Sequence, residues 1–143
     1  MNTQTVRDWM TPKPFTITLQ TTLPEARQLM EEHFIRRLPV MHRGRLVGIV
    51  TRGDIREAQA STATTLSVYE LNYLLDHLPA KEFMAYEPIT ISADATLAEA
   101  ARRMQQHKIG ALPVVEYGEL VGIITESDLC RLLITQSEYL EKS

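Results

Sequence analysis

The sequence predicts an α+β fold in which two β-α-β-β-α repeats pack sheet to sheet as one pseudo-twofold module. When the 143-residue chain is shifted by 74 positions, residues 10–56 align with residues 84–130 without a gap, and 21 of the 47 pairs are identical. Each copy also combines helix-start signals with short β-branched apolar runs, which are typical of strands beside amphipathic helices. Chance does not produce such a match, so the chain contains an internal duplication.

The first copy is predicted to form a strand, a capped helix, a β-hairpin and a second helix. The capping box Thr22-x-x-Glu25 marks the first helix, because each side chain can satisfy a free backbone amide at the helix start. Gly44 marks the hairpin turn. Gly48 and its repeat partner Gly122 lie inside strands, which indicates close approach by a ligand or by another part of the chain. The predicted elements are strands at 15–18, 38–41 and 46–50, and helices beginning at 22 and at 51 or 53, the second running to about 60.

The second copy repeats this order, and a linker helix lies between the copies. A capping box at Thr96-x-x-Glu99 starts the first helix of the second copy, and Ser67-x-x-Glu70 starts the amphipathic linker helix, which Pro79 ends. One copy is too small to bury a convincing core alone, so the two copies are expected to form one folding unit. The predicted division is a first domain at 1–60, a linker at 61–80 and a second domain at 81–143.

The composition excludes several classes of protein. A content of 44% hydrophobic residues is ordinary for a soluble globular protein. With 15 Lys+Arg against 18 Asp+Glu, the net charge is −3, which argues against a dedicated nucleic-acid binder. No apolar run reaches the roughly 18–20 residues that span a membrane. The polar start without a signal peptide and the single cysteine, Cys130, predict a cytoplasmic location. No catalytic or metal-binding motif is present, so neither an enzyme nor a metal site is expected.

Both copies end in the same motif, a hydrophobic-Pro-Val segment followed by Gly-x-h-Val-Gly-h-h-Thr-x-x-Asp, where h is hydrophobic. The motif runs from Leu38-Pro39-Val40 to Asp54 and from Leu112-Pro113-Val114 to Asp128. This tandem pattern resembles the CBS domain, and the two copies together resemble a CBS pair, or Bateman module. The resemblance covers about residues 6–60 and 80–140. The linker is also similar to that of stand-alone bacterial CBS proteins of the acetoin-utilisation type.

The resemblance implies a regulatory module that binds an adenosine-containing ligand (AMP, ADP, ATP or S-adenosylmethionine) in clefts between the two repeats. It implies no catalytic cofactor, a homodimer formed through the helices, and an unidentified regulated protein as partner. Membrane and nucleic-acid partners are not expected. The alternative is a ligand-free CBS pair that serves as a dimerisation or scaffold module docked to an enzyme or transporter. A third, weaker alternative is nucleic-acid binding through the arginine-rich hairpin, which predicts strongly salt-dependent binding.

The Thr-x-x-Asp pairs are the leading candidates for ligand contact. Thr51 and Asp54, like Thr125 and Asp128, lie where a strand turns into a helix. Free amides at a helix start suit phosphate, and an ionised carboxylate suits the two hydroxyls of a ribose. The alternative is that these side chains only cap their helices. Because both copies keep both residues, ligand contact is the favoured interpretation.

By resemblance, the backbone near the first strand and near the hydrophobic-Pro-Val segment lines the adenine pocket. The same apolar residues equally suit a plain core. The further residues assigned in this way are Thr16, Ile17, Arg36, Arg37, Leu38, Pro39, Thr90, Ile109, Gly110 and Pro113.

The two copies differ in charge. Residues 36–56 contain six arginines and one aspartate, a sum of +5, whereas residues 110–130 contain four acidic residues and no Lys or Arg, a sum of −4. Arg37 matches a position that reaches ligand phosphates in some members of the resembled family, and its counterpart is Ala111. A guanidinium group suits phosphate oxygens. The sequence therefore predicts two unequal clefts, one better built for a polyphosphate; for Arg43 and Arg45 a solvated surface is the favoured interpretation.

Overall fold

The computed structural model describes residues 4–62 and 66–142, which divide into two compact units. The central unit is Phe15–Pro88, and the terminal unit combines the chain up to Pro14 with the chain from Ile89 onward. Each unit contains one repeat and its own buried core. The predicted boundaries at residues 60 and 80 follow the repeats along the sequence and stay a prediction.

The secondary structure confirms the α+β class with two repeats. In the second copy the first predicted strand is reduced to a single bridge between Ile91 and Val114. In chain order the elements are α1 (Val6–Trp9), β1 (Thr11–Pro12), β2 (Ile17–Thr18), α2 (Leu23–His33), β3 (Arg37–His42), β4 (Arg45–Thr51), α3 (Arg52–Thr62), α4 (Val68–His77), a short 3-10 helix (Ala80–Glu82), β5 (Ala85–Tyr86), α5 (Leu97–His107), β6 (Ala111–Glu116), β7 (Glu119–Thr125) and α6 (Glu126–Lys142).

Each unit is built around one sheet. The central sheet has the order β2-β3-β4-β5, in which β2 runs parallel to β3 and the other pairs are antiparallel. The terminal sheet has the order β1-β7-β6, with antiparallel pairs. In both sheets an edge strand of two residues comes from the first residues of the other repeat. Strands this short carry no readable period, so the sequence did not predict β1 or β5.

The predicted hairpins and helix starts follow local chemistry. Arg43 and Gly44 link β3 to β4, and both have positive φ, which is the two-residue turn that matches strand twist. At Thr22 the capping box is complete. At Thr96 it is not, because the Glu99 carboxylate accepts a hydrogen bond from Arg103 instead, at 2.8 Å. Thr96 is therefore a simple N-cap that accepts from the Glu99 amide.

The glycines inside strands mark close contact with the chain. A Cβ atom at Gly48 would lie 2.6 Å from the Met84 sulfur and 2.9 Å from the Ala85 carbonyl oxygen. At Gly122 it would lie 2.9 Å from the Thr11 carbonyl oxygen. Strand β5 therefore pairs with β4 at Gly48, and β1 pairs with β7 at Gly122, where the absence of a side chain leaves room for the neighbouring segment. The sequence left open whether a ligand or the chain approaches these glycines, and in the structure the chain does so.

Helix α1 is held on the terminal unit by backbone and side-chain bonds. The Val6 amide donates to the Ala95 carbonyl at 2.9 Å, and Val6 is fully buried. Arg7 donates to Glu116 and to Asp94, and these hydrogen bonds raise the pKa of its guanidinium above the ordinary value. The segment before the first repeat is thus a structural part of the unit that carries the second repeat.

None of the helices in the described part of the chain is long and apolar enough to cross a membrane.

Replacing Gly48 by alanine is expected to destabilise the protein by about 1–3 kcal/mol, because the new methyl group overlaps the Met84 sulfur and the Ala85 carbonyl oxygen. Urea unfolding measures this loss. Gly53→Ala is the matched control: its Cβ would meet nothing closer than Thr51 Oγ1 at 3.5 Å, and alanine favours the helix. Equal stability of the two variants would contradict the close contact.

Candidate functional site

Thr51 and Asp54 form a reciprocal cap at the start of α3. The Thr51 amide donates to Oδ2 of Asp54 at 2.8 Å, and the Asp54 amide donates to the Thr51 hydroxyl at 3.1 Å. The capping alternative therefore describes a real interaction of these residues. Ligand contact by the same residues stays a prediction.

Thr125 and Asp128 repeat this cap at the start of α6 with additional bonds. The Thr125 amide and hydroxyl donate to Oδ2 of Asp128 at 2.8 and 3.1 Å. Arg131 donates to Oδ1 of the same carboxylate at 2.9 Å. Asp128 is only 7% exposed, so its carboxylate is buried among its own donors.

The helix starts are less open to phosphate than the sequence predicted. The Arg52 amide donates to the Arg36 carbonyl at 3.0 Å, and the Glu126 amide donates to the Gly110 carbonyl at 3.0 Å. Together with the amide of the capping aspartate, two amides at each helix start are used within the fold. Phosphate binding there would depend on side chains more than on the helix terminus.

The structure brings the predicted arginine pair to the Thr-x-x-Asp motif. Arg37 is the cross-strand partner of Thr51 in the β3–β4 register, and Arg36 precedes it. Asp54 follows Thr51 by three residues, so Arg37 and Asp54 lie at the same end of the central sheet. In the terminal sheet the corresponding partners are Ala111 and Thr125. The charge difference that the sequence predicts therefore falls at equivalent places in the two units.

A cavity of about 430 Å³ adjoins Asp54 in the central unit. This volume lies in the range of small-molecule sites. Its wall combines one face of α3 with the segment around the 3-10 helix and β5. It is lined by Asp54, Glu57, Ala58, Ser61, Thr62, Leu78, Glu82, Phe83, Met84 and Ala85.

Sequence reasoning missed the lining residues at and just before the start of the second repeat. Glu82, Met84 and Ala85 lie 28 or more positions after Asp54 and carry no binding motif. The one available signal was the alignment of Met84 with Met10, since the repeats begin to match at this pair. The charged lining residues Asp54, Glu57 and Glu82 are all acidic.

The first-strand residues lie away from this cavity. Thr16 and Ile17 line a different cavity of about 380 Å³ beside α2. The carbonyl of Thr90 accepts a hydrogen bond from Arg103 in the terminal unit. The site role that the sequence assigned to Thr16, Ile17 and Thr90 stays a prediction.

The apolar candidates have buried or half-buried side chains. Leu38, Pro39 and Pro113 are fully buried, and Ile109 packs against the terminal core. A ligand contact at these positions would therefore use backbone atoms. Gly110 is half-buried, and its carbonyl accepts from Glu126.

Four further arginines of residues 36–56 are exposed to solvent. Arg43 and Arg45 are exposed at the hairpin tip. Arg52 and Arg56 are exposed on α3, on the helix face opposite Asp54 and Ala58 by the 3.6-residue period. Within residues 4–62 and 66–142, no three His, Cys, Asp or Glu side chains are arranged to hold a metal ion.

The family model described as CBS domain matches residues 6–61 and 80–135. The chain belongs to the CBS domain family. A CBS domain-containing protein of Dictyostelium discoideum is 36% identical over 131 residues, which is 90% of each chain. An inosine-5'-monophosphate dehydrogenase of Korarchaeum cryptofilum is 38% identical over 125 residues, and this CBS pair spans 87% of its own length but only 22% of that enzyme.

Solved structures share the fold of this CBS pair. A protein from Vibrio cholerae named AcuB, for acetoin utilization, has a TM-score of 0.81 at 37% identity and covers 99% of this chain and 98% of its own. The CBS pair of protein MJ0100, in complex with 5′-methylthioadenosine and S-adenosyl-L-methionine, has a TM-score of 0.80 at 28% identity, with 94% and 99% covered. CBSX2 in complex with AMP has a TM-score of 0.75 at 28% identity, with 93% and 98% covered.

Asp128→Ala is expected to destabilise the protein more than Asp54→Ala. Both variants lose a helix cap, which costs about 0.5–2 kcal/mol. Asp128→Ala also releases Arg131 and removes a buried carboxylate, whereas Asp54 is half-buried. Urea unfolding of the two variants measures the difference. A larger loss for Asp54→Ala would be inconsistent with this account of the two caps.

Proposed function

We propose that this CBS pair is a regulatory module that binds an adenosine-containing ligand and transmits its presence to a partner protein. The cavity beside Asp54 carries the proposal, because it joins a positioned carboxylate to apolar walls. The carboxylate suits the ribose hydroxyls, and the apolar side chains of Leu78, Phe83 and Met84 suit an adenine ring. The adenosine complexes of MJ0100 and CBSX2 support the same class of ligand.

Charge indicates how an anionic ligand would lie in this cavity. Asp54, Glu57 and Glu82 repel phosphate, so the adenosine part would occupy the cavity and phosphate would point toward Arg37 at the end of the sheet. A neutral ligand such as 5′-methylthioadenosine needs no such cation. Arg37 would then discriminate between charged and neutral adenosine ligands.

The scaffold alternative keeps a specific observation in its favour. The Thr-x-x-Asp pairs already have a structural role as caps, so their presence in both copies does not require a ligand. In that case the module would act by dimerisation or docking alone. The chain is proposed to be cytoplasmic, to act without catalysis and to bind neither nucleic acid nor membrane.

Arg37→Ala is expected to weaken AMP binding about tenfold or more, because a hydrogen bond to a charged group contributes about 1.5–3 kcal/mol. Binding of 5′-methylthioadenosine is expected to be unchanged. Isothermal titration calorimetry measures both affinities. Arg43→Ala is the control, since it removes an equal charge at the exposed hairpin tip.

Asp54→Asn is expected to weaken both ligands, because asparagine preserves the cap but is a poorer acceptor for ribose hydroxyls. Thermal-shift titrations with AMP, ADP, ATP, S-adenosylmethionine and NAD identify the preferred ligand, since a ligand at 100 times its Kd adds about 2.7 kcal/mol. A folded protein that none of these ligands stabilises would support the scaffold alternative.

We further propose that the module is a homodimer and that α6 contributes to the contact. Leu133 and Ile134 are 65% and 57% exposed on this helix, although both are apolar. Exposed apolar groups of this kind are typical of a surface that another chain covers.

Ile134→Glu is expected to weaken the dimer by about 3 kcal/mol or more, because it places an unpaired charge in an apolar contact. Analytical ultracentrifugation at several concentrations measures the shift toward monomer. Thr135→Glu adds the same charge about 100° further round the helix and is the control. A monomeric wild-type chain would exclude the homodimer.

A further inference from the structure

The duplication places different residues around its two aspartates. The 74-residue shift pairs Asp54 with Asp128, but it pairs Glu57 with Arg131 and Phe83 with Trp9. Glu57 and Phe83 line the open cavity beside Asp54. Their counterparts Arg131 and Trp9 contact each other beside Asp128.

Arg131 lies between the carboxylate of Asp128 and the ring of Trp9. Its Nη2 atom donates to Oδ1 of Asp128 at 2.9 Å, and its guanidinium carbon lies 5.5 Å from the Trp9 ring centroid. A cation at this distance over an indole ring is attracted to it. With the bonds from Thr125 to Oδ2, both oxygens of Asp128 accept hydrogen bonds from the protein.

We propose that Arg131 closes the second repeat to ligand by occupying the carboxylate oxygen that a ribose would need, so that the chain binds one adenosine ligand, beside Asp54. This inference rests on the proposed function. The side chain of Asp128 is 10% exposed, and Arg131 donates to Oδ1, whereas the bonds from Thr125 go to Oδ2. A ribose hydroxyl would have to compete with the guanidinium group for the small accessible part of this carboxylate.

The first repeat cannot close in the same way. Glu57 holds the position three residues after Asp54, and a carboxylate has no proton to donate to Asp54 at neutral pH. Like charges repel, so Glu57 does not form with Asp54 the ion pair that Arg131 forms with Asp128. The single exchange of Glu57 for Arg131 therefore accounts for one open and one closed repeat.

The closure is a competition rather than a permanent block. The side chain of Arg131 is 63% exposed, and partly exposed ion pairs and cation–π contacts are individually weak. We expect the ligand affinity at Asp128 to be about tenfold or more below that at Asp54, so that a titration over the concentration range that fills the Asp54 site detects one molecule per chain. Because both AMP and 5′-methylthioadenosine carry the ribose, the difference applies to both.

Isothermal titration calorimetry with AMP and with 5′-methylthioadenosine tests the closure through the number of sites per chain. The wild-type chain is expected to bind one molecule, and Arg131→Ala is expected to bind two. The added site is expected to vanish in the double variant Arg131→Ala, Asp128→Asn. Glu57→Arg is expected to weaken the site at Asp54 about tenfold, and Arg102→Ala, which removes an exposed arginine of α5, is expected to match wild type.

Three calorimetric results would overturn the inference: two sites of equal affinity in the wild-type chain, no added site in Arg131→Ala, or loss of binding in Arg131→Ala. The last result would make Arg131 a group that holds the ligand. A wild-type chain that binds neither probe contradicts the proposed function at Asp54. In that case a site gained by Arg131→Ala still supports the closure, and no gained site still overturns it.

Trp9 provides a test that needs no ligand, because it is the single tryptophan of the chain. Acrylamide quenching of its fluorescence is expected to increase in Arg131→Ala, since the guanidinium no longer lies over the ring. Arg102→Ala is expected to leave the quenching unchanged. Equal quenching in wild type and Arg131→Ala would mean that Arg131 does not cover this position.

Discussion

The close approach of the chain to Gly48 and Gly122 determines which residues share each unit. Without a Cβ atom at these positions, Met84 and Ala85 can lie against β4, and Met10 and Thr11 can lie against β7. The first residues of each repeat are thereby fixed on the unit that carries the rest of the other repeat. A site beside Asp54 consequently draws its wall from the start of the second repeat, although Asp54 belongs to the first.

The duplication kept the backbone frame and changed the charges attached to it. In both copies the threonine amide donates to the aspartate carboxylate at 2.8 Å. The first amide of the following helix, α3 or α6, donates at 3.0 Å to the carbonyl of the residue just before β3 or β6. On this common frame, Arg37 corresponds to Ala111 and Glu57 to Arg131. The proposed functional asymmetry therefore resides in a few side chains, because both repeats share this backbone frame.

Local signals explain how much of the fold could be predicted. The hairpin turn at Arg43-Gly44 and the cap at Thr22 depend on neighbouring residues, so the sequence contains all that decides them. The residues that join Asp54 in its cavity depend on tertiary packing over 28 or more positions, which no local pattern reports. Phe34 shows that an apolar side chain does not by itself indicate burial, because it ends α2 in the left-handed conformation and is 95% exposed. The i,i+3 spacing of Asp128 and Arg131 was visible in the sequence, but the contact with Trp9 was not.

Helix capping and ligand recognition by the same aspartate are compatible. The bond from Thr51 uses Oδ2 of Asp54 and fixes the rotamer of the carboxylate, so a ligand that binds beside it meets a group that is already ordered. At Asp128 the same bond is present, but Arg131 accounts for the second oxygen. The same preorganisation is thus proposed to favour recognition in the first repeat, whereas at Asp128 it adds to the stability of the helix start. The proposed difference between the two repeats is whether the chain itself donates to Oδ1 of the aspartate, as Arg131 does at Asp128.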